Sequence, residues 1–466
     1  MGWVLLVAQL LVLLVFSAVQ YQRGALTKDF AGYAQAWWAI GHGHPDPFST
    51  VFGVPFWRNN AELAMWPLAL LARIAPSPLT LLWVQDIVVV LTEVVAWRWV
   101  CTILQGCDGR RARRAAPMLA LGAAAALAID PWVFDTVGFD FHFEAFAALF
   151  ALLVARDLWA GRLRRLWCWV PLALVSTVLG GVYLVGVGLS GILAGRRTRR
   201  SGGALVAVGL VWGVLLTAVG GAGVGSKGLD AAYGYLVGRH QGRIGLLDIV
   251  AGVFLHPGAA AQVAGSHLPV VLGFLVVVGL VGVASPWGLG MALAVFVPNV
   301  LDARGLFIRY PASFQSWPAL PFVLVGSIMI VGRLLDRGDT GRKAAHATLA
   351  MWGALTAVLA LAVLPNLGAL PGRRGAHPRR APAGGPGAQR RGHRRRHVLR
   401  RHRRSGGVRP DAFASPRRRR CGRPRLRVVT APRDEGRHPA VRTPSPRVCG
   451  AGRRGRPSAR APACHM

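Results

Sequence analysis

Residues 1–370 repeat one pattern, a run of mostly apolar residues followed by a short polar or basic connection. Runs near the roughly 20 residues that carry a helix through a hydrocarbon core predict membrane-crossing helices. The first extends from Trp3 to about Val19. The others lie near Leu79–Leu104, Pro117–Ile129, Phe141–Ala155, Leu166–Val178, Gly181–Ala194, Ala204–Val219, Leu268–Val283, Trp287–Val300, Pro318–Val331 and Ala345–Leu364. The fold class is therefore all-α, a polytopic transmembrane bundle of about 11 spans. The run Glu62–Ile74 is shorter and is followed by Pro76-Ser77-Pro78, so it predicts a helix lying at the interface and not a crossing. Trp3–Val19 has no basic segment before it and no small-residue cleavage site after it, and reads as a retained span.

The connections orient the bundle. Arg110–Arg114, Arg156–Arg165, Arg196–Arg200 and Arg333–Lys343 are short and basic, which assigns them and the N-terminus to the cytoplasm. That assignment requires Leu166–Ala194 to be two short helices meeting near Gly180-Gly181. Four segments then face outward, at about 20–78, 130–140, 220–267 and 301–317. In the first of them Phe30, Tyr33, Ala34, Trp37 and Trp38 recur at helical spacing, which predicts an amphipathic helix in the headgroup layer with Asp29 near its start.

Composition agrees with this class and rules out a soluble fold: 53% of residues are hydrophobic and the mean hydropathy is +0.41. The net charge of +36 is unevenly spread, because residues 371–466 hold 29 Arg, no Lys and three acids, and so +26 of it. That segment of Arg, Pro, Gly, Ala, Ser and His has almost no apolar periodicity and reads as a disordered low-complexity tail, separate from the membrane domain at 1–370. A basic arm for nucleic acid or anionic lipid is one account of it. Out-of-frame reading of GC-rich coding DNA is the favoured one, since it yields Arg without Lys. No nucleic-acid partner is expected for the membrane domain. The six Cys show neither a disulfide framework nor metal-ligand spacing.

Carboxylates are few, and those on the outward side are the chemical candidates. Asp29 follows the first span, and Asp135, Asp140, His142 and Glu144 lie between two later ones. Asp29 reads either as a helix N-cap or as a general base or metal ligand beside the membrane surface. On an extended segment Asp140, His142 and Glu144 align on one side, whereas on a helix Asp140 and Glu144 share a face without His142. Asp29, Asp140 and Glu144 are the candidate ligands for a divalent metal ion, and a structural polar cluster is the competing account. Arg239, Arg243 and Arg309 are outward cations suited to a phosphate, or to lipid headgroups by snorkelling. Asp86 and Glu93 share a face of the second span, with Glu93 near mid-membrane, where an acid is a functional candidate unless it is paired.

Asp29–Ile40, Pro47-Phe48-Ser49-Thr50, Pro55-Phe56-Trp57, Glu62–Ala69, Pro76–Thr80 and Gly138-Phe139-Asp140-Phe141-His142-Phe143-Glu144-Ala145-Phe146 resemble a bacterial family of predicted membrane proteins of unknown function. That family in turn resembles the GT-C glycosyltransferases, which take a sugar from a polyprenyl-phosphate donor at the outer leaflet. The resemblance covers roughly residues 1–370. It implies a GT-C-like bundle in the bacterial plasma (inner) membrane, contact with membrane lipid, and a catalytic base or metal ligand at Asp29, with Asp140 and Glu144 completing an acidic site. Many relatives carry charged residues at the turn between the paired short helices, where this chain has Ser176-Thr177-Val178-Leu179-Gly180. A transporter or flippase using Glu93 and Asp86, or a non-catalytic member, are the alternatives.

Overall fold

The computed structural model describes residues 1–59, 62–106, 110–219, 226–238, 244–304 and 313–367. Residues 371–466, read above as a disordered tail, lie outside them. The helices in chain order are α1 (Gly2–Gln22), α2 (Lys28–Gly41), α3 (Phe56–Asn59), α4 (Met65–Ala69), α5 (Leu79–Gln105), α6 (Arg110–Ala128), α7 (Pro131–Phe139), α8 (Glu144–Trp159) and α9 (Leu163–Ser176). They continue as α10 (Gly180–Leu193), α11 (Arg196–Val219), α12 (Ser226–Val237), α13 (Leu246–Leu255), α14 (Pro257–Val277), α15 (Pro286–Val300), α16 (Ser313–Ser316), α17 (Leu320–Asp336) and α18 (Gly338–Leu367). Phe48–Ser49 and Val54–Pro55 form a small antiparallel hairpin.

Each apolar run of the sequence overlaps a helix, but eleven crossings are not shown. Among the described residues six stretches are long and apolar enough to cross a membrane: Gly2–Gln22, Leu79–Gln105, Arg113–Phe139, Arg196–Leu216, Pro257–Val277 and Phe314–Asp336. Gly180–Leu193 and Pro286–Val300 are apolar but shorter. Hydropathy scores a short buried helix like a spanning one, and length is what separates the two. At 1.5 Å per residue α8 and α9 are only about 24 and 21 Å long, less than the roughly 30 Å of a hydrocarbon core.

Two local expectations are corrected. Residues 130–140 are not a loop, because the chain breaks only at Ile129-Asp130 and α7 continues the span. Asp130 restarts the helix as an N-cap, accepting from the Trp132 N–H at 3.0 Å, with Pro131 in the first helical position. Helix α14 begins at Pro257, well before Leu268, and stops where Gly279 adopts φ +85°. The broken pair is present. Helix α9 ends at Ser176, Thr177 is extended, and α10 starts at Gly180, where a Cβ would run into the Ala173 carbonyl.

Lipid supplies no hydrophobic drive between helices, so close backbone approach matters more here than in a soluble core. Antiparallel α10 and α11 meet through Gly181 and Gly188 against Gly209 and Gly202. A Cβ on Gly188 would stand 2.6 Å from the Gly202 carbonyl oxygen, and one on Gly202 would stand 2.6 Å from that of Gly188. On the opposite side of α10 a Cβ on Gly290 would lie 2.7 Å from the Gly186 carbonyl oxygen, which brings α15 equally close.

Helix directions place two groups of charged residues at opposite ends. Helices α1 and α5 are antiparallel, since Gly2 packs on Trp97 while Ser17 Oγ donates to Asp86 at 3.1 Å. Helix α6 also runs back along α5, with Trp97 Nε1 donating to the Ala120 carbonyl at 2.9 Å. Helix α8 runs with α5, Trp99 meeting Trp159 at a ring-centroid distance of 6.1 Å. Consequently Arg113, Arg114, Arg162, Arg164 and Arg196–Arg200 gather at one end, and Asp29, Glu62, Asp140 and Glu144 at the other. Asp157, fully buried, lies 3.5 Å from Arg156 and 3.7 Å from Arg165 at the basic end.

The acidic end is capped by the segment after α1. Helix α2 buries Phe30, Tyr33, Ala36, Trp37 and Ile40 against Phe56, Met65, Ala69 and Ala72, and against Leu81, Phe141 and Phe143 of the bundle. Trp37 Nε1 donates to the Leu68 carbonyl at 3.1 Å, and Arg73 Nε to that of Gly41 at 2.6 Å. The apolar face of α2 is therefore covered by protein and not by headgroups, because residues 62–73 fold over it. Trp38, Phe48, Leu70 and Ile74 remain exposed around this cap.

Candidate functional site

Helix α2 is docked onto the bundle by its first turn. Thr27 is its N-cap, extended at ψ −176°, with Oγ1 accepting from the Asp29 N–H at 3.2 Å. Asp29 is thus the second helical residue and not the cap expected from sequence. Asp140, extended at the end of α7, accepts from the Thr27 N–H at 2.9 Å and from the Thr27 hydroxyl. Its carboxylate therefore sits at the positive end of the α2 dipole, across the junction from the residues it anchors. Gln85 of α5 clips the strand-like stretch from below: its Nε2 donates to the Asp140 carbonyl at 3.0 Å, and its Oε1 accepts from the His142 N–H.

One layer deeper, Glu144 opens α8 and accepts from the Thr177 hydroxyl at 3.2 Å, so the break between α9 and α10 supplies its partner. His142 Nδ1 lies 3.8 Å from Glu144 Oε2, and the imidazole stacks on Phe314 with ring centroids 3.6 Å apart. Tyr33 packs edge-on against Phe141, His142 and Phe143 and donates its hydroxyl to Glu62 Oε1 at 3.0 Å. Among the described residues His142 Nε2 and Glu144 Oε2 are buried without a hydrogen-bond partner. Asp140 is extended and Glu144 is already helical, with residues 141–142 in neither helix nor strand, so the stretch is a mixture of the two readings and not either one throughout.

The candidate acids fall into two linked pairs. Asp29 is half-buried beside Asp140, near enough for their charges to interact, while Glu144 pairs with His142 beneath them. Both Asp140 oxygens are engaged by Thr27, and Glu144 is turned to Thr177. Among the described residues no group of three or more His, Cys, Asp or Glu could hold a metal ion. Asp135 is half-buried on α7. Arg239, Arg243 and Arg309 lie outside the described residues. Arg304, from the same basic stretch as Arg309, is forked onto Asp302, its Nε 2.9 Å from each carboxylate oxygen. Asp86 and Glu93 belong to the bundle interior, bonded to Ser17 and Gln9.

Burial lifts the Asp29 carboxyl above its ordinary value, with Lys28 beside it opposing. For Asp140 burial again dominates and raises it from 3.8 to about 6, against the pull of the Thr27 bonds. Burial and then the Glu62 charge push the Tyr33 phenol well above its usual range, so it stays a donor. A raised carboxyl means that the folded chain holds its proton longer than the unfolded one. Below about pH 4 Asp140 is protonated in both states, so stability falls as pH rises from about 4 to about 6 and levels off above that window. Thermal unfolding followed over this range checks it, with the slope expected to shrink in Asp140→Asn. An unchanged slope in that variant would remove Asp140 as its source.

Sequence reasoning did not single out Thr27, Gln85 or Thr177, and it missed the Tyr33–Glu62 bond. A signal was available for Gln85, a neutral amide inside an apolar span next to Asp86. Thr27 precedes a helical run and is as good a cap as Asp29 by type, so only its extended backbone separates the two.

No curated protein and no solved structure matches the chain. One family model does, over residues 26–369, and that range contains α2, the Asp140–Glu144 stretch and the broken pair α9 and α10. With three quarters of its length matched, the chain belongs to the predicted membrane protein family DUF2079.

Proposed function

We propose that the protein transfers a sugar from a polyprenyl-phosphate donor to an acceptor at the outer face of the bacterial plasma membrane. The observation that supports this most is the placement of Asp29: half-buried, beside Asp140, and on a helix start locked to the bundle. Asp140 directly follows the membrane-length stretch Arg113–Phe139, so the pair stands at the end of a span, where a lipid-linked donor presents its reactive carbon. Asp29 takes the proton from the acceptor hydroxyl, whose oxygen bonds to the anomeric carbon as the bond from that carbon to the phosphate oxygen breaks, and polyprenyl phosphate leaves. Asp140 positions Asp29 through Thr27. Glu144 and His142 shape the floor beneath, and Arg239, Arg243 and Arg309 receive the donor phosphate. The test is to supply the reconstituted protein with a panel of polyprenyl-phosphate sugars and a membrane acceptor fraction, and to follow release of polyprenyl phosphate.

The same reading places the acidic end outside and the basic end, with the N-terminus, in the cytoplasm. In a cysteine-free background, Thr50→Cys on intact cells is expected to react with an impermeant thiol reagent and Arg162→Cys to be protected until the cells are opened. The opposite labelling would put the site on the cytoplasmic side, where this donor is not presented, and would end the proposal.

A further inference from the structure

The bundle interior holds a second polar centre, independent of glycosyl transfer. Glu93 lies fourteen residues into the 27-residue α5, about 21 Å from its start and near mid-helix. Gln9 of α1 donates through Nε2 to Glu93 Oε1 at 3.2 Å and to the Leu127 carbonyl at 3.3 Å, tying the acid to the last turn of α6. There the span breaks, and Asp130 caps α7 close enough for its charge to act on Glu93. Gln9, Glu93 and Asp130 are 4%, 0% and 1% exposed. Among the described residues Gln9 Oε1, Glu93 Oε2 and Asp130 Oδ2 have no hydrogen-bond partner.

All three orphaned atoms are acceptors. The Asp130 N–H donates at 3.2 Å to the same Leu127 carbonyl that Gln9 holds, so the three side chains converge on the end of α6. Two buried carboxylates within reach of one another are costly unless positive charge joins them, and an orphaned amide oxygen at the same place asks for the same thing. Among the described residues no side chain provides it. The helices packed on α5 bring Arg113, Arg114, Asp135, Glu144, Arg156, Asp157, Arg333 and Asp336, and α5 itself bears Asp86 and Arg98; of these and Asp130, it is Asp130 whose charge reaches Glu93. A broken membrane helix supplies carbonyls and the negative end of its dipole at its C-terminal half, a setting that suits a bound cation. We propose that Gln9, Glu93, Asp130 and the end of α6 form a buried site for a monovalent cation, a sodium ion or a proton.

Thermal unfolding of the full protein in nanodiscs, with sodium chloride exchanged for choline chloride at constant ionic strength, separates the two. For sodium, the midpoint rises with sodium concentration, and that dependence is lost in Glu93→Gln and Asp130→Asn. For a proton, sodium has no effect, and the midpoint falls as pH rises, with a slope reduced in the same variants. Should the variants fail to accumulate, binding of radiolabelled sodium to the wild type and proton uptake by it on acidification distinguish the same two cases. Neither sodium binding nor proton uptake, or dependences identical in wild type and variants, would overturn the site. Neither result bears on the role of Asp29.

Discussion

Asp29→Asn is expected to lower polyprenyl-phosphate release by at least about a hundredfold while the protein still inserts and folds. A positioned general base contributes on the order of 10²–10⁴ in rate, and the amide cannot accept the acceptor's proton at useful strength. Stability is a separate matter, because Thr27 and not Asp29 caps α2. Losing the charge of Asp29 near the helix start costs about 0.3–1 kcal/mol through the dipole, too little to unfold the segment. Thr27→Val makes the contrast. It deletes both the cap and the hydroxyl bond to Asp140, so it loosens α2 and lowers stability by about 1 kcal/mol or more. Release assays with circular dichroism melts on both variants distinguish the roles. Full release by Asp29→Asn takes Asp29 out of the mechanism.

The largest effect on folding is expected from Gly188→Leu. With the Gly202 carbonyl oxygen 2.6 Å from where a Cβ would stand, the neighbour is backbone and cannot swing aside, so α10 and α11 must separate. Overpacking usually costs about 1–3 kcal/mol, and displacing a whole helix interface exceeds that range. We expect little folded protein and aggregation on gel filtration. Gly203→Leu is the control, since a Cβ at Gly203, one residue beyond Gly202, meets nothing within 4 Å. Normal yield from Gly188→Leu would mean that the two helices do not approach as closely as described.

Much of the architecture is legible in the sequence because hydropathy and loop charge report directly on helices in lipid. The break between α9 and α10 follows from the basic cluster Arg196–Arg200 alone, with no turn residue needed to argue it. Helix α7 is not legible, since a hydropathy window sees Ile129–Asp140 only as a weaker stretch holding three acids. Its helical start depends on Asp130 and Pro131 acting together as cap and first residue. The site is legible as a set of residue types and not as a set of bonds. Asp29, Asp140, His142 and Glu144 can be picked out by charge near an apolar surface, but Gln85 holding Asp140 and His142, or Thr177 holding Glu144, joins residues 55 or 57 and 33 apart in sequence. The buried face of α1 offers one more clue. Gln9, Ser17 and Gln20 share one stripe with Gly2, Leu6 and Leu13, and polar residues confined to one stripe of an apolar helix face partners.

The bond between Thr27 and Asp140 also fixes an order of events during synthesis. The two residues are 113 positions apart, so when α2 leaves the ribosome its clasp has not yet been made. At about 5–20 residues per second the wait is on the order of ten seconds. During that time α5, α6 and α7 must enter the membrane before Asp140 arrives at the right face. The segment between α1 and α5, although translated early, therefore matures only after α7 has been made. A defect in threading α6 or α7 would reveal itself at the far N-terminal cap, as a protease-sensitive α2, before it disturbed the helices where it arose.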